Sequence, residues 1–322
     1  MASTLGPVGI IGSGLAVPSR VITNDDLSQT VDTSDEWIFS RTGIRQRHRL
    51  DDGTDTSDLA AAAGARAIES AGISPDEIDT VICATITQDM SFPNTACMVQ
   101  AKLGLPKGAA FDLGAACSGF VYGLVTGSSL IRCGQSKTIL LVGADALSKH
   151  LDWTDRGTCV LFGDGAGAAV LRAVPEGYGL LGANLGCDGT GGPLLLRTAD
   201  GREDGVPVLQ MAGREVYKFA VRIQPEACEA ALRDAEMTID QIDWFVPHQA
   251  NIRIIEAAVQ RLGIPWEKVL LNLDRYGNTS AASIPIQLAE AAADGRLKRG
   301  DNLLLVGFGA GLTWGSAVVR WY

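Results

Sequence analysis

The stretch ISPDEIDTVICATI, residues 73–86, returns in altered form as MTIDQIDWFVPHQA, residues 237–250. Each copy is a Pro- or Thr-marked helix lead-in, then Ile-Asp, then a short apolar strand. Asp79 and Asp243 lie 164 positions apart, and the strands ILLVG and LLLVG, ending at Gly143 and Gly307, keep the same spacing. GAAVLR from Gly167 and GSAVVR from Gly315 are 148 apart, so the first half carries 164 − 148 = 16 extra residues between Gly143 and Gly167. A fixed offset of this length means one supersecondary unit used twice.

Working outward, β-branched runs alternate in both halves with Ala-rich, helix-period stretches at 57–71, 94–103, 118–132, 215–236, 251–262 and 280–293. Strands alternating with helices imply an α/β protein with mostly parallel sheets and helices on their faces. Two such halves, 1–173 and 174–322, related by a pseudo-twofold, would bury a helix pair between two sheets. The equivalent helices after Cys117 and after Asn278 are the candidates for that pair. Loops 28–56 and 186–214 are polar and turn-rich and should lie outside the repeated core.

Composition narrows the function. The 322 residues are 46% hydrophobic and 20% charged, with 38 Gly, which fits a compact enzyme and excludes disorder. Twenty-seven basic against 37 acidic residues leave a net charge of −10, which repels nucleic acid and anionic membranes, so a phosphate-bearing ligand needs a local basic patch. Seven cysteines with no CxxC pair, behind an N-terminus lacking a signal-peptide pattern, predict a reducing, cytoplasmic setting. The longest uncharged run, 113–131, contains three Ser and a Thr and is expected to be a buried helix packed through Gly119, Gly123 and Gly127 rather than a membrane span.

Two glycine motifs fail as nucleotide sites. In VGIIGSGLAVP, residues 8–18, Val17 replaces the third glycine and Pro18 blocks the required helix. FGDGAGAAVLR, residues 162–172, leads into a strand-like run and reads as tight turns. The three histidines, 48, 150 and 248, are isolated, so no metal site is expected.

Three positions carry chemistry. In AAFDLGAACSGFVYGL, residues 109–124, Cys117 follows a strand and opens a helix, where unpaired N–H groups and the helix dipole should lower the thiol from ~8.5 toward neutrality and could hold an oxyanion. The other six cysteines read as inert thiols in strand or helix interiors. WFVPHQANIRII, residues 244–255, sets His248 between a strand end and a helix opening near Gln249, where α/β sites form. DRYGNTSAASIP, residues 274–285, sets Asn278 just before a helix, as a cap or as a side chain aimed past it. Subtracting 164 places its equivalent at 114, close to Cys117.

Cys117 in AACSGF, His248 in PHQAN and Asn278 in GNTSAAS together resemble the catalytic Cys, His and Asn of the β-ketoacyl-acyl carrier protein synthase III family. TSDEWI (33–38), SRTGIRQR (40–47), DWTDRGTCVLFGDGAGAA (152–169) and GFGAGLTWGSA (307–317) extend the resemblance over nearly the whole chain. It implies a thiolase-like five-layered αβαβα fold and a homodimer. The implied reaction is an acyltransferase one, decarboxylative condensation of an acyl-CoA primer with malonyl-acyl carrier protein, initiating fatty acid biosynthesis. Both thioesters are substrates, and no further cofactor is implied. The amides of Cys117 and Ala310, the latter standing where the family usually has glycine, would bind the oxyanion. Trp37 and Arg156 would flank the CoA adenine, Arg41 would meet its phosphates, and Phe92 would close the acyl tunnel of the other subunit. Arg214, Lys218, Gln249, Arg253 and Arg261 would receive the acidic carrier protein.

The same residues bear on rival readings. A papain-type hydrolase shares the order and distances of Cys, His and Asn, but the aromatic signature after the Cys is missing and an internal twofold repeat is foreign to that fold. Thiolases would want a second catalytic Cys and elongating synthases a second catalytic His. A related Cys-His-Asn condensing enzyme of polyketide or quinolone-type secondary metabolism is the main alternative, and a non-catalytic binding module the remaining one.

Overall fold

The computed structural model describes residues 6–197 and 208–322. The first half runs β1 (Val8–Ala16), β2 (Arg20–Thr23), α1 (Asn24–Ser28), α2 (Asp35–Thr42), β3 (Gln46–Arg49), α3 (Thr56–Ala71), β4 (Thr80–Ala84), α4 (Thr95–Lys102) and β5 (Ala109–Leu113). It continues through α5 (Gly119–Arg132), β6 (Thr138–Ala146) and β7 (Asp164–Ala173). The second half contains β8 (Gly179–Cys187), β9 (Leu195–Arg197), β10 (Leu209–Met211), α6 (Gly213–Asp234), β11 (Trp244–Pro247) and α7 (Ile252–Leu262). It ends with α8 (Leu273–Tyr276), α9 (Ser283–Ala293), β12 (Asn302–Gly309) and β13 (Thr313–Arg320).

Two sheets form, in the orders β1-β7-β6-β4-β5 and β11-β12-β13-β8. The repeat is visible in the elements: β4 and β11, β6 and β12, and α5 and α9 keep the 164-residue offset. The central strands are buried on both faces, all nine residues of β6 among them, because helices cover each side. Helices α5 and α9 lie between the sheets, where Phe120, Leu124, Ile284 and Leu288 join Ile82, Leu141, Leu305 and Val319 in one core. Helices α3 and α4 cover the outer face of the first sheet, and α6 and α7 that of the second. The result is the expected five-layered αβαβα stack.

Close packing explains the first glycine motif. An added Cβ at Gly14 would meet the Ala67 backbone nitrogen at 2.4 Å, so this glycine admits α3 onto β1 rather than cradling a phosphate.

Three details correct the sequence reading. The sheets are mixed: β4 pairs in parallel with β5 and β6, and β11 with β12, while β1, β7, β8 and β13 run antiparallel to their neighbours. No α-helix intervenes between β6 and β7, only the 3-10 turn Leu147–His150, nor between β12 and β13, and without a helical crossover successive strands return antiparallel. The segment 28–56 is not a plain loop, since Ser34 caps α2, Gly43 ends it at φ 79°, and β3 pairs with β2. Ile38 and Ile44 bury a small core of their own there. Of loop 186–214, the part 198–207 lies outside the described residues, as do residues 1–5 of the N-terminus, while β9, β10 and the start of α6 occupy much of the remainder.

The extra residues of the first half form the short turn Leu147–His150 and the segment leading to β7, where the second half has only the tight turn from β12 to β13. In return the second half has α8 where the first has β5, which leaves β5 an unpaired edge. Among the described residues no helix is long and apolar enough to cross a membrane, and the uncharged run folds as the buried α5.

Candidate active site

Cys117 sits in the single 3-10 turn Ala116–Ser118 between β5 and α5, not in α5 itself. The turn is pinned to the other half: the Ser118 hydroxyl donates to Ala115 O at 2.7 Å and to Thr313 Oγ1 at 2.9 Å, and Thr313 Oγ1 donates to Ala115 O at 3.0 Å. The end of β12 presses against it, so that a Cβ on Gly309 would stand 2.6 Å from the Cys117 amide nitrogen. That contact brings the Ala310 turn beside the nucleophile.

Here the expected acidity fails. Burial pushes the Cys117 thiol up to about 12; the nearby Ser280 hydroxyl lowers it and the Asp145 carboxyl raises it further. A thiol 6% exposed is cut off from the water that would solvate its anion, and this outweighs the helix-start setting. Asp145 is buried too and accepts from Ile86 N at 2.9 Å, Thr85 and Thr87 hydroxyls at 3.1 Å and Ala281 N at 3.2 Å.

His248 follows β11, its backbone N donating to Val306 O at 2.8 Å. The side chain is 1% exposed and meets Phe308 edge-on at 5.4 Å. Burial holds the imidazole down to about 3, so it is neutral. Its Nδ1 lies 2.7 Å from Ser283 Oγ. The helix after it opens at Ile252, capped by Asn251, rather than near Gln249. Asn278 is fixed by its backbone, with N donating to Leu161 O and O accepting from Gly163 N, and by Ser280 N, which donates to Oδ1 at 2.9 Å. The asparagine therefore spends its Oδ1 on the N–H that opens the following turn and leaves its amide NH₂ for the cavity it lines.

Two cavities meet at Cys117. One of about 370 Å³ is lined by Thr87, Leu147, Phe162, Leu209 and Ala310. The other, of about 200 Å³, is lined by His248, Asn278, Phe308 and Ile254. The fold thus brings the three candidate residues from two halves and three separate loops to one point.

The remaining candidates, Ala310 apart, line neither cavity. Arg41 and Arg156 both place their guanidinium groups on the Trp37 ring, at 4.6 and 4.7 Å from its centroid. Arg156 is also held by Asp32 O at 2.6 Å. Phe92 is 85% exposed and so is no part of this chain's own core. Arg214, Lys218, Arg253 and Arg261 are exposed on α6 and α7, Lys218 paired with Glu215 and Arg253 donating to Ser40 O. Gln249 is corrected as a carrier-protein contact: it is 1% exposed, and its amide donates to Pro247 O and Gln287 Oε1 while accepting from Asn272 N and Leu273 N. It ties the His248 turn to the Asn278 loop from inside. Cys133 and Cys187 are exposed, against the expectation of six interior thiols. Sequence reasoning missed Asp145, Ser280 and Ser283, because nothing local separates a serine or aspartate beside a reactive group from one in any turn. Among the described residues no cluster of three or more metal-ligating side chains occurs.

A buried cysteine between two cavities, with a neutral histidine and an asparagine from the opposite repeat lining one of them, on a five-layered αβαβα stack, is the arrangement of a thiolase-fold condensing enzyme. Comparison with known proteins agrees. The family model for 3-oxoacyl-acyl-carrier-protein synthase III matches residues 111–189, and that for its C-terminal part matches residues 232–321. A β-ketoacyl-acyl-carrier-protein synthase III of Desulfitobacterium hafniense is 54% identical over 98% of both chains. The crystal structure of the synthase III from Thermus thermophilus, 50% identical, covers 98% of this chain and 99% of its own with a TM-score of 0.93. The priming β-ketosynthase of a polyketide biosynthetic pathway is 34% identical, with a TM-score of 0.94 over 98% of this chain and 97% of its own. The chain belongs to the β-ketoacyl-acyl-carrier-protein synthase III family.

Proposed function

We propose that the protein condenses an acyl-CoA primer with malonyl-acyl carrier protein, releasing carbon dioxide and 3-oxoacyl-acyl carrier protein, as the first condensation of fatty acid synthesis in the cytoplasm. The observation that carries this reading is Cys117 at the junction of two cavities, one largely apolar and one presenting His248 and Asn278. Cys117 sulfur attacks the primer thioester, and the backbone N–H groups of Cys117 and Ala310 hold the tetrahedral oxyanion. The C–S bond to CoA breaks, and the thiol proton ends on the departing CoA sulfur. Malonyl thioester then enters the second cavity. Loss of carbon dioxide leaves its electron pair as an enolate, whose oxygen takes hydrogen bonds from His248 Nε2 and Asn278 Nδ2. The enolate carbon attacks the acyl-Cys117 carbonyl, the C–S bond breaks, and the returning thiolate takes up one proton. Two uncharged donors suit a negative charge that appears only in the transition state.

The same reading assigns Trp37, Arg41 and Arg156 to the CoA nucleotide, and Arg214, Lys218, Arg253 and Arg261 to the carrier protein. One arginine must leave the Trp37 ring to admit the adenine. The exposure of Phe92 and the unpaired edge strand β5 support a homodimer in which Phe92 reaches the acyl cavity of the partner subunit. Residues 1–173 and 174–322 are proposed as the two halves. Both thioesters are substrates, and the chemistry asks for no other cofactor.

Separate assay of the two half-reactions tests the proposal. Cys117→Ala is expected to abolish condensation while malonyl decarboxylation persists. Asn278→Ala is expected to slow decarboxylation by ~10²–10³ while acylation of Cys117 continues. A hydrolase would lose acylation in Asn278→Ala and decarboxylate in no variant. The similarity to a polyketide priming ketosynthase makes secondary metabolism the second reading. Intact-protein mass spectrometry across a panel of acyl-CoA primers separates the two by which acyl group stays on Cys117.

A further inference from the structure

We infer that Ser283 is a positioning residue that fixes His248 in the Nε2–H tautomer, and that the enolate-stabilising donor exists because of this serine. The inference rests on the condensing-enzyme reading above and concerns a residue which that reading leaves without a role. Ser283 Oγ and His248 Nδ1 lie 2.7 Å apart, with the two residues 2% and 1% exposed. At that distance one of them donates, and the choice decides which ring nitrogen carries the proton.

Satisfaction of the buried groups makes the choice. Among the described residues the serine hydroxyl has no hydrogen-bond partner other than His248. If Nδ1 carried the proton, it would donate to Oγ and leave the serine proton unpaired in the interior, at a cost of about 1–3 kcal/mol. If Oγ donates to Nδ1, both groups are satisfied by one bond. The imidazole is neutral, so a single N–H remains, and it falls on Nε2, the ring nitrogen left over for the cavity that His248 shares with Cys117 and Asn278. The opposite tautomer would turn a lone pair toward a developing enolate and repel it.

The rest of the site follows the same plan. Ser280 N donates to Asn278 Oδ1 and so turns the Asn278 amide to present its NH₂, while the Ser283 hydroxyl does the equivalent for His248. One support opens the 3-10 turn that precedes α9 and the other is the first residue of α9. The repeat gives an internal comparison, because the position equivalent to Ser283 in the first half is Gly119, in the half that carries no histidine at its strand end. The hydroxyl is placed only where there is an imidazole to orient.

Nitrogen-15 NMR of the wild-type protein, with the His248 signal assigned by its loss in His248→Ala, reads the tautomer directly. The expected result is a protonated Nε2 and an unprotonated, hydrogen-bonded Nδ1; a protonated Nδ1 would overturn the inference. The functional arm measures malonyl decarboxylation in a Cys117→Ala background. Adding Ser283→Ala should slow it ten- to a hundredfold, by analogy with the loss of partners that orient other histidines, and Ser283→Thr should restore most of it. Acylation of Cys117 in the single Ser283→Ala variant should stay within about twofold, since its oxyanion uses backbone amides. An unchanged decarboxylation rate in Ser283→Ala would also overturn the inference. Failure of the parent reading is distinct: Cys117→Ala alone would then release no carbon dioxide, whatever the tautomer.

Discussion

Ala116 and Ser280 stand 164 residues apart and occupy the same place in the two halves, each with a left-handed backbone, φ 45° and 52°. Each opens the 3-10 turn that leads into a central helix. In the first half the next residue is Cys117; in the second it is Ala281, and the proposed donors are Asn278 and His248 instead. One strained turn, used twice, therefore carries the proposed nucleophile in one half and lies beside the proposed donors in the other. Strain at a non-glycine residue persists only where its surroundings hold it.

Relieving that strain should stabilise the fold. Ala116→Gly removes the Cβ penalty of the left-handed conformation, partly offset by a freer unfolded chain, so a gain of about 0.5–1 kcal/mol is expected. Urea unfolding measures it, and a loss of stability would show that the Ala116 methyl group matters more as packing than as strain.

Filling the gap beside the nucleophile should do the reverse. Gly309→Ala would place a methyl group 2.6 Å from the Cys117 nitrogen and 3.0 Å from the Ala116 Cβ. An overpacking cost of roughly 1–3 kcal/mol is expected. Acyl transfer should fall at least as far as stability does, because the displaced amide is a proposed oxyanion donor. Thermal unfolding and acylation kinetics on one preparation check both.

The buried titrating groups set a pH window. Cys117 is raised from 9.0 to about 12 and Cys228 likewise, so their contribution is fully present below the unfolded value and is lost as pH rises through the folded one. His248 is depressed from 6.5 to about 3, so its contribution is present above the unfolded value and lost as pH falls through the folded one. Denaturant unfolding should give a plateau between about pH 6.5 and 9, with a decline on each side. His248→Gln should weaken the acid-side decline.

The same burial separates two kinds of thiol labelling. At pH 7.5 iodoacetamide should mark the exposed Cys133 and Cys187 ahead of Cys117, whereas an acyl-CoA should mark Cys117 alone. Peptide mapping after each treatment decides it, and early alkylation of Cys117 would mean that the cavity admits water and stabilises the thiolate in the free protein.

Carrier-protein docking should depend on salt. A protein of net charge −10 repels an acidic partner except through a local basic face, and Arg253 stands exposed on α7, donating to Ser40 O. Arg253→Glu should weaken malonyl-carrier-protein affinity about tenfold at low ionic strength, with the difference fading toward 0.5 M salt as charges are screened. An unchanged affinity at low salt would remove α7 from the docking surface.

The repeat and the layer order were legible in the chain, as were the three side chains that folding gathers around one cavity, because a 164-residue offset, alternating periodicities and the settings of Cys117, His248 and Asn278 are all local or arithmetical. The sequence alone misjudged whatever depends on what lies across the molecule. The Cys117 thiol was read as acidic from its helix start, and the tertiary structure reversed this by shutting out water and setting Asp145 nearby. Gln249 was read as a docking contact from its place beside His248, yet Leu270, Asn272 and Gln287, remote in sequence, enclose it. The mixed direction of the sheets and the order within 28–56 likewise waited on partners that no local pattern names. Primer length was illegible for a related reason: the cavity is shaped by residues from 85 to 310, and exchanges worth a methylene or two leave no mark on a sequence pattern. Ser283 is the clearest case, an ordinary serine in the chain that acquires a function only because folding sets its hydroxyl 2.7 Å from a histidine 35 residues away.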